Sequence, residues 1–247
     1  MGRSLDEKEV EKAKKELGEW YDVKTMKEVN HMLGIKVEKV GEGIRISQTA
    51  YANRMLKKFG MINCKPRSIL LPVGISLSSN DRPDTAEEMK GILYQEALGS
   101  LMWLQVTTRP DLLFAVNLLS RFAANPGRAH WEAIKHTMAY VKDTTGYGIT
   151  YHRGLSLQPV GFTDSDFAND KDTRCSTDGH VFYVGGGPVS WSTKCQETVA
   201  TSTTEAKYMA VSRAVQQAIW LSLFFEEASL PQQQPITLFI DNNEAIC

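Results

Sequence analysis

Three acidic residues stand where carboxylate groups could bind a divalent metal ion. Asp164 lies in the sequence Gly-Phe-Thr-Asp-Ser-Asp-Phe at the end of an apolar run, and Asp241 lies in Phe-Ile-Asp-Asn-Asn at the end of another. Glu205, in Thr-Thr-Glu-Ala-Lys-Tyr, opens a helical pattern. Hard divalent cations prefer oxygen ligands, and nucleases commonly hold two of them about 3.5–4 Å apart around the reacting phosphate. The three residues therefore suggest hydrolysis of phosphodiester bonds.

Each of these residues also has an ordinary structural interpretation. Glu205 follows Ser202 by three positions, which is the spacing of a capping box in which the carboxylate binds a backbone amide at the helix start. Asp164 alone is typical of a strand end beside a loop, and Asp241 before two asparagines is typical of a turn or helix cap. The residues alone leave both interpretations open. Only the combination of strand end, helix start and strand end favours metal binding by all three.

The elements that would position these residues follow from the hydrophobic pattern of residues 159–247. Alternation with a period of two predicts strands, and the row of Ala206, Ala210, Ala214 and Ala218 predicts a helix lying close against a sheet. The predicted elements are strands over 159–164, 180–184, 189–193 and 236–241 and one long helix over 203–228. This part of the chain is therefore predicted to be α+β.

The preceding part of the chain is predicted to contain one hairpin and several helices. Residues 33–40 and 44–46 read as the two strands of the hairpin, because apolar and charged residues alternate on either side of a Gly-Glu-Gly turn. The other predicted elements are helices over 5–19, 51–59, 93–107, 110–124 and 129–142 and a strand over 147–151. Residues 76–92 are rich in Ser, Asn, Asp and Pro near their start, which predicts a flexible linker.

Composition excludes several classes of protein. The chain has 247 residues, 42% of them hydrophobic, and a formal net charge of −1, which is typical of a soluble globular protein. Basic residues outnumber acidic ones by 15 to 10 in residues 1–75, and acidic residues outnumber basic ones by 11 to 5 in 159–247. The composition of residues 1–75 therefore favours contact with phosphate, and that of residues 159–247 favours metal binding or ordinary solvation.

Compartment is predicted only coarsely. The four cysteines are far apart and form no Cys-x-x-Cys pair, which argues against a local zinc site or a disulfide framework. The charged start lacks the apolar core of a signal peptide, and no apolar run is long enough for a membrane span. We therefore expect an intracellular protein without a membrane partner, and the sequence does not distinguish cytoplasm from nucleus.

Several motifs together resemble the Pol polyprotein of Ty1/copia-type retrotransposons. The motifs that resemble its ribonuclease H domain are the run from Gly161 to Thr177, Gly185-Gly-Gly-Pro-Val-Ser-Trp191, Ser202-Thr-Thr-Glu-Ala-Lys-Tyr-Met-Ala210 and Asp241-Asn-Asn243. Two further groups resemble its reverse transcriptase. Leu33-Gly-Ile35 with the following hairpin is similar to the primer grip. The motifs that resemble its connection segment are Gly99-Ser-Leu-Met-Trp-Leu104, Thr108-Arg-Pro-Asp111 and Asn125-Pro-Gly-Arg-Ala-His-Trp131. Together these motifs cover nearly the whole chain.

The resemblance implies a division of the chain into four segments. They are the end of a reverse-transcriptase palm and thumb (1–75), a linker (76–92), a mainly helical connection (93–158) and a ribonuclease H-like mixed sheet with a packed helix (159–247). The Tyr-x-Asp-Asp motif of the family's polymerase site does not occur in the sequence, so DNA synthesis by this chain alone is not expected. The family continues after the position of Asp241 with further helices, a strand and a fourth acidic residue. We therefore expect a segment truncated at both ends and an incomplete ribonuclease H-like domain.

The resemblance also implies roles for the three acidic residues. Asp164 would bind both metals, Glu205 one and Asp241 the other, with Mg²⁺ as the expected cofactor and Mn²⁺ as an alternative. The expected substrate is the RNA strand of an RNA–DNA hybrid, which the 2′-hydroxyl and the groove shape distinguish from DNA. Other partners would be the missing segments of the parent polyprotein.

Two groups of residues are candidates for contact with nucleic acid. The residues that form a basic stripe are Lys57, Lys58, Lys65 and Arg67, and those in a loop that resembles the family are Arg174, Ser176 and Thr177. Both groups are also compatible with ordinary solvated surface. The alternative function is a non-catalytic remnant that binds nucleic acid or another part of the polyprotein.

Overall fold

In the residues that the computed structural model describes, 7–21, 30–230, 232 and 235–241, the chain forms six helices and two four-stranded sheets. The helices are α1 (Glu7–Gly18), α2 (Thr49–Lys58), α3 (Tyr94–Thr107), α4 (Leu113–Ser120), α5 (Arg128–Asp143) and α6 (Thr203–Glu227). The strands are β1 (His31–Met32), β2 (Ile35–Val40), β3 (Gly43–Ser47), β4 (Gly148–His152), β5 (Val160–Asp166), β6 (Thr177–Val184), β7 (Gly187–Cys195) and β8 (Thr237–Ile240). The architecture is α+β, as the sequence predicts.

The first sheet has the order β1-β2-β3-β4, and its strands are antiparallel. The β2–β3 pair is the predicted hairpin, with Val40 opposite Gly43 at the turn. β4 adds to the free edge of β3 with Ile46 opposite Ile149. Gly148 permits this approach, because a Cβ atom there would stand 2.3 Å from the carbonyl oxygen of Ile46. One sheet thus joins two parts of the chain that the sequence analysis assigns to separate segments.

The helices α2 to α5 pack around one hydrophobic core. Its innermost side chains, each at most 1% exposed, are Leu56, Ala97, Leu101, Leu104, Leu112, Leu119, Ile134, Met138 and Val141. The predicted helix over 110–124 begins as a 3₁₀ turn at Pro110–Leu112 and continues as α4 only to Ser120. Proline suits the first helical turn, since its missing N–H would have no partner inside the helix there.

The predicted linker is held against the rest of the chain. It contains two 3₁₀ turns, Ser79–Asp81 and Ala86–Met89, and Ser78 caps the first of them. The Ser78 hydroxyl donates a hydrogen bond of 2.6 Å to Asp172, and the amide and hydroxyl of Ser79 donate bonds of 2.8 and 2.7 Å to the same carboxylate. These bonds, the Ser78 bond foremost, lower the pKa of Asp172 to about 2.

The second sheet has the order β7-β6-β5-β8. The strands β5, β6 and β7 are antiparallel, and β8 runs parallel to β5. The helix α6 connects β7 to β8 and buries Ala206, Ala210 and Ala214 as predicted, because small side chains let the helix lie close to the sheet. Farther along α6, Leu221 packs in one cluster with Phe182 of β6, which is fully buried.

Among the residues described, no helix is both long and apolar enough to span a lipid bilayer.

Candidate functional site

Two of the three predicted metal-binding residues lie side by side at the ends of neighbouring strands. The parallel pairing of β5 with β8 places Thr163 opposite Ile240, so Asp164 and Asp241 follow at equivalent positions. Both side chains face solvent, with 68% and 63% of their area exposed. The sheet topology therefore presents two adjacent carboxylates that a single cation can contact.

The cation between these carboxylates is the ammonium group of Lys207. Its Nζ atom lies 3.6 Å from Oδ1 of Asp164 and donates a hydrogen bond to Oδ1 of Asp241. Only 17% of the lysine side chain is exposed. The hydrogen bond to Asp241 is the main cause that raises the pKa of Lys207. We define Asp164, Asp241 and Lys207 as the carboxylate–lysine cluster.

Glu205 lies outside this cluster and binds the backbone at the start of α6. Its Oε2 atom accepts hydrogen bonds of 2.6 Å from both the amide and the hydroxyl of Thr201. The Ser202 hydroxyl in turn accepts a bond of 3.1 Å from the Glu205 amide, so Ser202 caps the helix as the spacing predicts. The hydrogen bonds from Thr201, its hydroxyl first, lower the pKa of Glu205.

Helix geometry explains why Lys207 rather than Glu205 reaches the two aspartates. Residues two positions apart on an α-helix point about 200° apart, so they do not face the same neighbour. Ala206 is fully buried between the two, and Glu205 and Lys207 flank it on opposite sides. This spacing is visible in the sequence and is the signal that could have revealed Lys207.

The donor atoms of Asp164 and Asp241 fit a divalent cation, since both are carboxylate oxygens and already share one positive charge. Within the described part of the chain, no group of three or more His, Cys, Asp or Glu side chains is arranged to hold a metal ion. Glu205 as a third ligand therefore stays a prediction, and it would require release of the carboxylate from Thr201.

An apolar groove of about 790 Å³ extends from the two aspartates across the sheet. The rings of Phe162 and Phe239 stack there with their centres 5.2 Å apart, and Tyr183 meets Phe162 edge-on. These three aromatic side chains are 37–53% exposed. The groove therefore combines an aromatic surface with an acidic end.

The predicted basic stripe divides into two parts in the structure. Lys57 and Lys58 lie in the last turn of α2, where Lys58 is paired with Glu96. Lys65 and Arg67 instead line a separate groove.

That separate groove has a volume of about 620 Å³ and is also lined by Lys135 and His136 of α5. Burial lowers the pKa of His136. We call Lys65, Arg67 and Lys135 the basic groove; Glu132, which pairs with Lys135, also lines it. Lys135 and His136 lie on α5, far from Lys65 and Arg67 in the sequence, so no local pattern connects them.

The predicted loop residues differ in their surroundings. Arg174 is exposed and has a left-handed backbone with φ of 59°. The Ser176 hydroxyl is buried and accepts a hydrogen bond of 3.1 Å from the Ala168 amide, and Thr177 donates one of 2.8 Å to the side chain of Asn169. Contact of Ser176 or Thr177 with nucleic acid would therefore require this loop to open.

Comparisons with known proteins identify the family. A model of the family described as reverse transcriptase (RNA-dependent DNA polymerase) matches residues 3–73. The chain is 38% identical over 242 residues to the retrovirus-related Pol polyprotein from transposon TNT 1-94 of Nicotiana tabacum, covering 96% of this chain and 18% of that protein. It is 34% identical over 230 residues to the corresponding polyprotein from transposon RE1 of Arabidopsis thaliana, covering 92% of this chain and 15% of that protein. This chain belongs to the Ty1/copia-type retrotransposon Pol family.

The Ty1/copia-type relationship confirms the resemblance inferred from the motifs, and the chain spans less than a fifth of these two Pol polyproteins. A shorter relative, secreted RxLR effector protein 161 of Plasmopara viticola, is 46% identical over 135 residues, which are 55% of this chain and 95% of that protein. No solved structure matches the chain significantly.

Proposed function

We propose that this Pol segment contributes to hydrolysis of the RNA strand of RNA–DNA hybrids. The observation that carries the proposal is the position of Asp164 and Asp241, whose carboxylates contact one cationic group at the ends of neighbouring parallel strands. Nucleases that use divalent cations require such adjacent oxygen ligands. The polymerase motif is absent from the sequence, so the proposal concerns cleavage and not synthesis.

The topology of the described residues between Val160 and Ile240 supports a ribonuclease H-like arrangement. Three antiparallel strands are followed by one long helix and by a strand that joins the opposite edge in parallel. A parallel pair requires a crossover connection, and α6 provides it. The same connection brings Lys207, near the start of α6, close to the strand ends.

The residues of this site would act by binding and orientation. Asp164 and Asp241 would hold a divalent cation, Mg²⁺ or Mn²⁺, and Glu205 would join them only after leaving Thr201. When bound, such cations activate an attacking water and stabilise charge on the leaving oxygen. No protein side chain is then required as a nucleophile. A substrate hydroxyl at the 2′ position would distinguish RNA from DNA.

Cleavage of a labelled RNA strand in an RNA–DNA hybrid tests this proposal. We expect cleavage by the chain in Mg²⁺, none in EDTA, and a loss of at least about 100-fold in Asp164→Asn and in Asp241→Asn, because each substitution removes a charged ligand. Asp84→Asn is the matched control, since Asp84 is exposed and the change in net charge is the same. Equal cleavage by wild type and both site variants, or no cleavage by any of them, would refute the catalytic proposal.

A second candidate function is binding of a nucleic-acid duplex without cleavage. It is favoured by the basic groove, which Lys65 and Arg67 line together with Lys135 of α5. Lysine and arginine side chains bind phosphates through charge, so such binding releases counterions and weakens as salt rises.

Hybrid binding in EDTA over a range of salt concentrations tests this second function. We expect Lys65→Gln/Arg67→Gln to weaken binding and to reduce the slope of log affinity against log salt by about 2, because each phosphate that is no longer neutralised lowers the slope by about 1. A variant with Lys90→Gln and Lys194→Gln is the control, because both lysines are exposed and lie outside the basic groove. Affinity that does not change with salt would exclude phosphate binding as its basis.

A further inference from the structure

Lys207 stands where a cation bound by Asp164 and Asp241 would stand. Its ammonium group contacts one oxygen of each carboxylate, so it already neutralises part of their charge. The lysine side chain is mostly covered, whereas both carboxylates are mostly exposed. A solvated cation would therefore approach the two aspartates from their open side and compete with the lysine for the same oxygen atoms.

The backbone of Lys207 is fixed by the packing of α6, whereas its ammonium group is carried by a flexible side chain. Ala206 and Ala210 on either side of it are buried against the sheet, so the helix cannot easily rotate. A lysine side chain has four rotatable carbons and one compact charge, which lets the ammonium leave without a change in the fold.

We propose that Lys207 is a built-in counter-ion that competes with divalent cations for Asp164 and Asp241. This inference rests on the proposed function, because it requires a cation to bind at these two residues. In the absence of a divalent cation, the lysine keeps the two carboxylates together and prevents their mutual repulsion. Binding of the cation displaces the ammonium group, so the site is occupied only when the cation concentration is high enough to overcome the lysine.

Glu205, the third predicted ligand, is also held by a partner within the protein. Glu205, on the other side of Ala206, is bound to the amide and hydroxyl of Thr201. Each predicted ligand thus has a partner from the protein itself, either Lys207 or Thr201. The lysine is the more direct competitor, because it, unlike Thr201, adds a positive charge beside the two aspartates.

Mn²⁺ binding by the full chain without nucleic acid tests this inference independently of activity. We expect Lys207→Met to bind Mn²⁺ about four- to 25-fold more tightly than the wild type in titrations followed by electron paramagnetic resonance. Each of the two ion pairs of Lys207 contributes a factor of about two to five, and the two factors multiply. Lys207→Gln should behave in the same way and serves as a second variant if the methionine variant folds poorly. Lys194→Met is the matched control, because Lys194 is exposed, pairs with Glu197 and leaves the cluster intact.

The outcomes separate this inference from the proposed function. A double variant, Asp164→Asn/Asp241→Asn, should lose the Mn²⁺ site. If it does, and Lys207→Met and Lys207→Gln bind Mn²⁺ no more tightly than Lys194→Met, the role of Lys207 is refuted while the cation site stands. If the double variant binds Mn²⁺ as the wild type does, or no chain binds Mn²⁺, both the cation site and the competition are refuted. Thermal melting in EDTA verifies that each variant is folded.

Discussion

Asp111→Asn is expected to lower the free energy of unfolding by about 2–3 kcal/mol, although Asp111 lies at the edge of the core. The partner that makes this residue important is Arg109, whose side chain is only 3% exposed, against 33% for Asp111. Removing one member of a buried ion pair leaves the other charge without compensation, which typically costs about 3–5 kcal/mol. We expect a value below that range because water reaches the aspartate.

The geometry of this pair explains why asparagine cannot replace aspartate. Arg109 donates from Nε to Oδ1 at 3.0 Å and from Nη2 to Oδ2 at 2.8 Å, and the Tyr140 hydroxyl donates to the same Oδ2 at 3.0 Å. An asparagine amide group would place hydrogen atoms against one of these donors. The rest of the guanidinium group is bound to the carbonyl and hydroxyl of Thr144, so it cannot move to find another anion.

Urea unfolding of Asp111→Asn measures this effect. Asp84→Asn provides the control for the change in net charge, because Asp84 is exposed, and it should differ from the wild type by less than about 0.5 kcal/mol. An equal decrease in the free energy of unfolding in the two variants would mean that net charge, and not the buried ion pair, determines the result. The Thr-Arg-Pro-Asp motif would then have no structural role that this pair explains.

Local sequence patterns were sufficient for most individual elements. The β2–β3 hairpin and α6 were predicted because their hydrophobic periods repeat over several residues. The end of α4 was predicted less well: the helix stops at Ser120, four residues before the predicted limit. Pro126 restricts Asn125 directly and does not account for an end as early as Ser120.

Contacts between distant parts of the chain could not be predicted from such patterns. Nothing in residues 147–151 indicates that β4 pairs with β3, because a strand pattern does not determine which other strand it will pair with. The same limit applies to the hydrogen bonds that join Ser78 and Ser79 to Asp172. Short polar segments are typical of flexible linkers, and only the tertiary fold reveals that this one is bound in place.

The candidate site was predicted in part for the same reason. Asp164 and Asp241 were selected because each ends an apolar run, and the parallel pairing of their strands brings them together. Lys207 was missed because only acidic residues were considered as ligands, although its helical position relative to Ala206 differs from that of Glu205. The sequence selected Asp164, Glu205 and Asp241, whereas the structure places only Asp164 and Asp241 side by side, with the positive charge of Lys207 between them.

Gly127→Ala is expected to lower the free energy of unfolding by about 3 kcal/mol, the upper part of the range for overpacking. Gly127 precedes α5, and a Cβ atom at this position would stand 1.6 Å from the backbone oxygen of Asp81. Backbone atoms cannot rotate away as a side chain can, so the turn at Ser79–Asp81 would have to move. That displacement would also strain the hydrogen bonds between this turn and Asp172.

The same substitution would disturb a fully buried histidine. The Gly127 amide donates a hydrogen bond of 2.8 Å to Nδ1 of His130, and the histidine ring stacks on Phe122 with ring centres 4.0 Å apart. Burial lowers the pKa of His130, so the ring is neutral at pH 7 and depends on this bond to satisfy Nδ1. A shift of the Gly127 backbone would leave a buried polar atom without a partner, which adds to the cost of the steric overlap.

Gly99→Ala is the matched control, and its expected effect has the opposite sign. Gly99 is exposed within α3, and a Cβ atom there would meet no atom within 4 Å. Alanine should therefore stabilise the chain by about 0.5–1 kcal/mol through helix propensity. Thermal melting should separate the two variants, with Gly127→Ala lower than the wild type by about 6–12 °C and Gly99→Ala slightly higher. A Gly127→Ala variant as stable as the wild type would mean that the Ser79–Asp81 turn does not pack against α5. It would also contradict the conclusion that residues 76–92 are held against the rest of the chain.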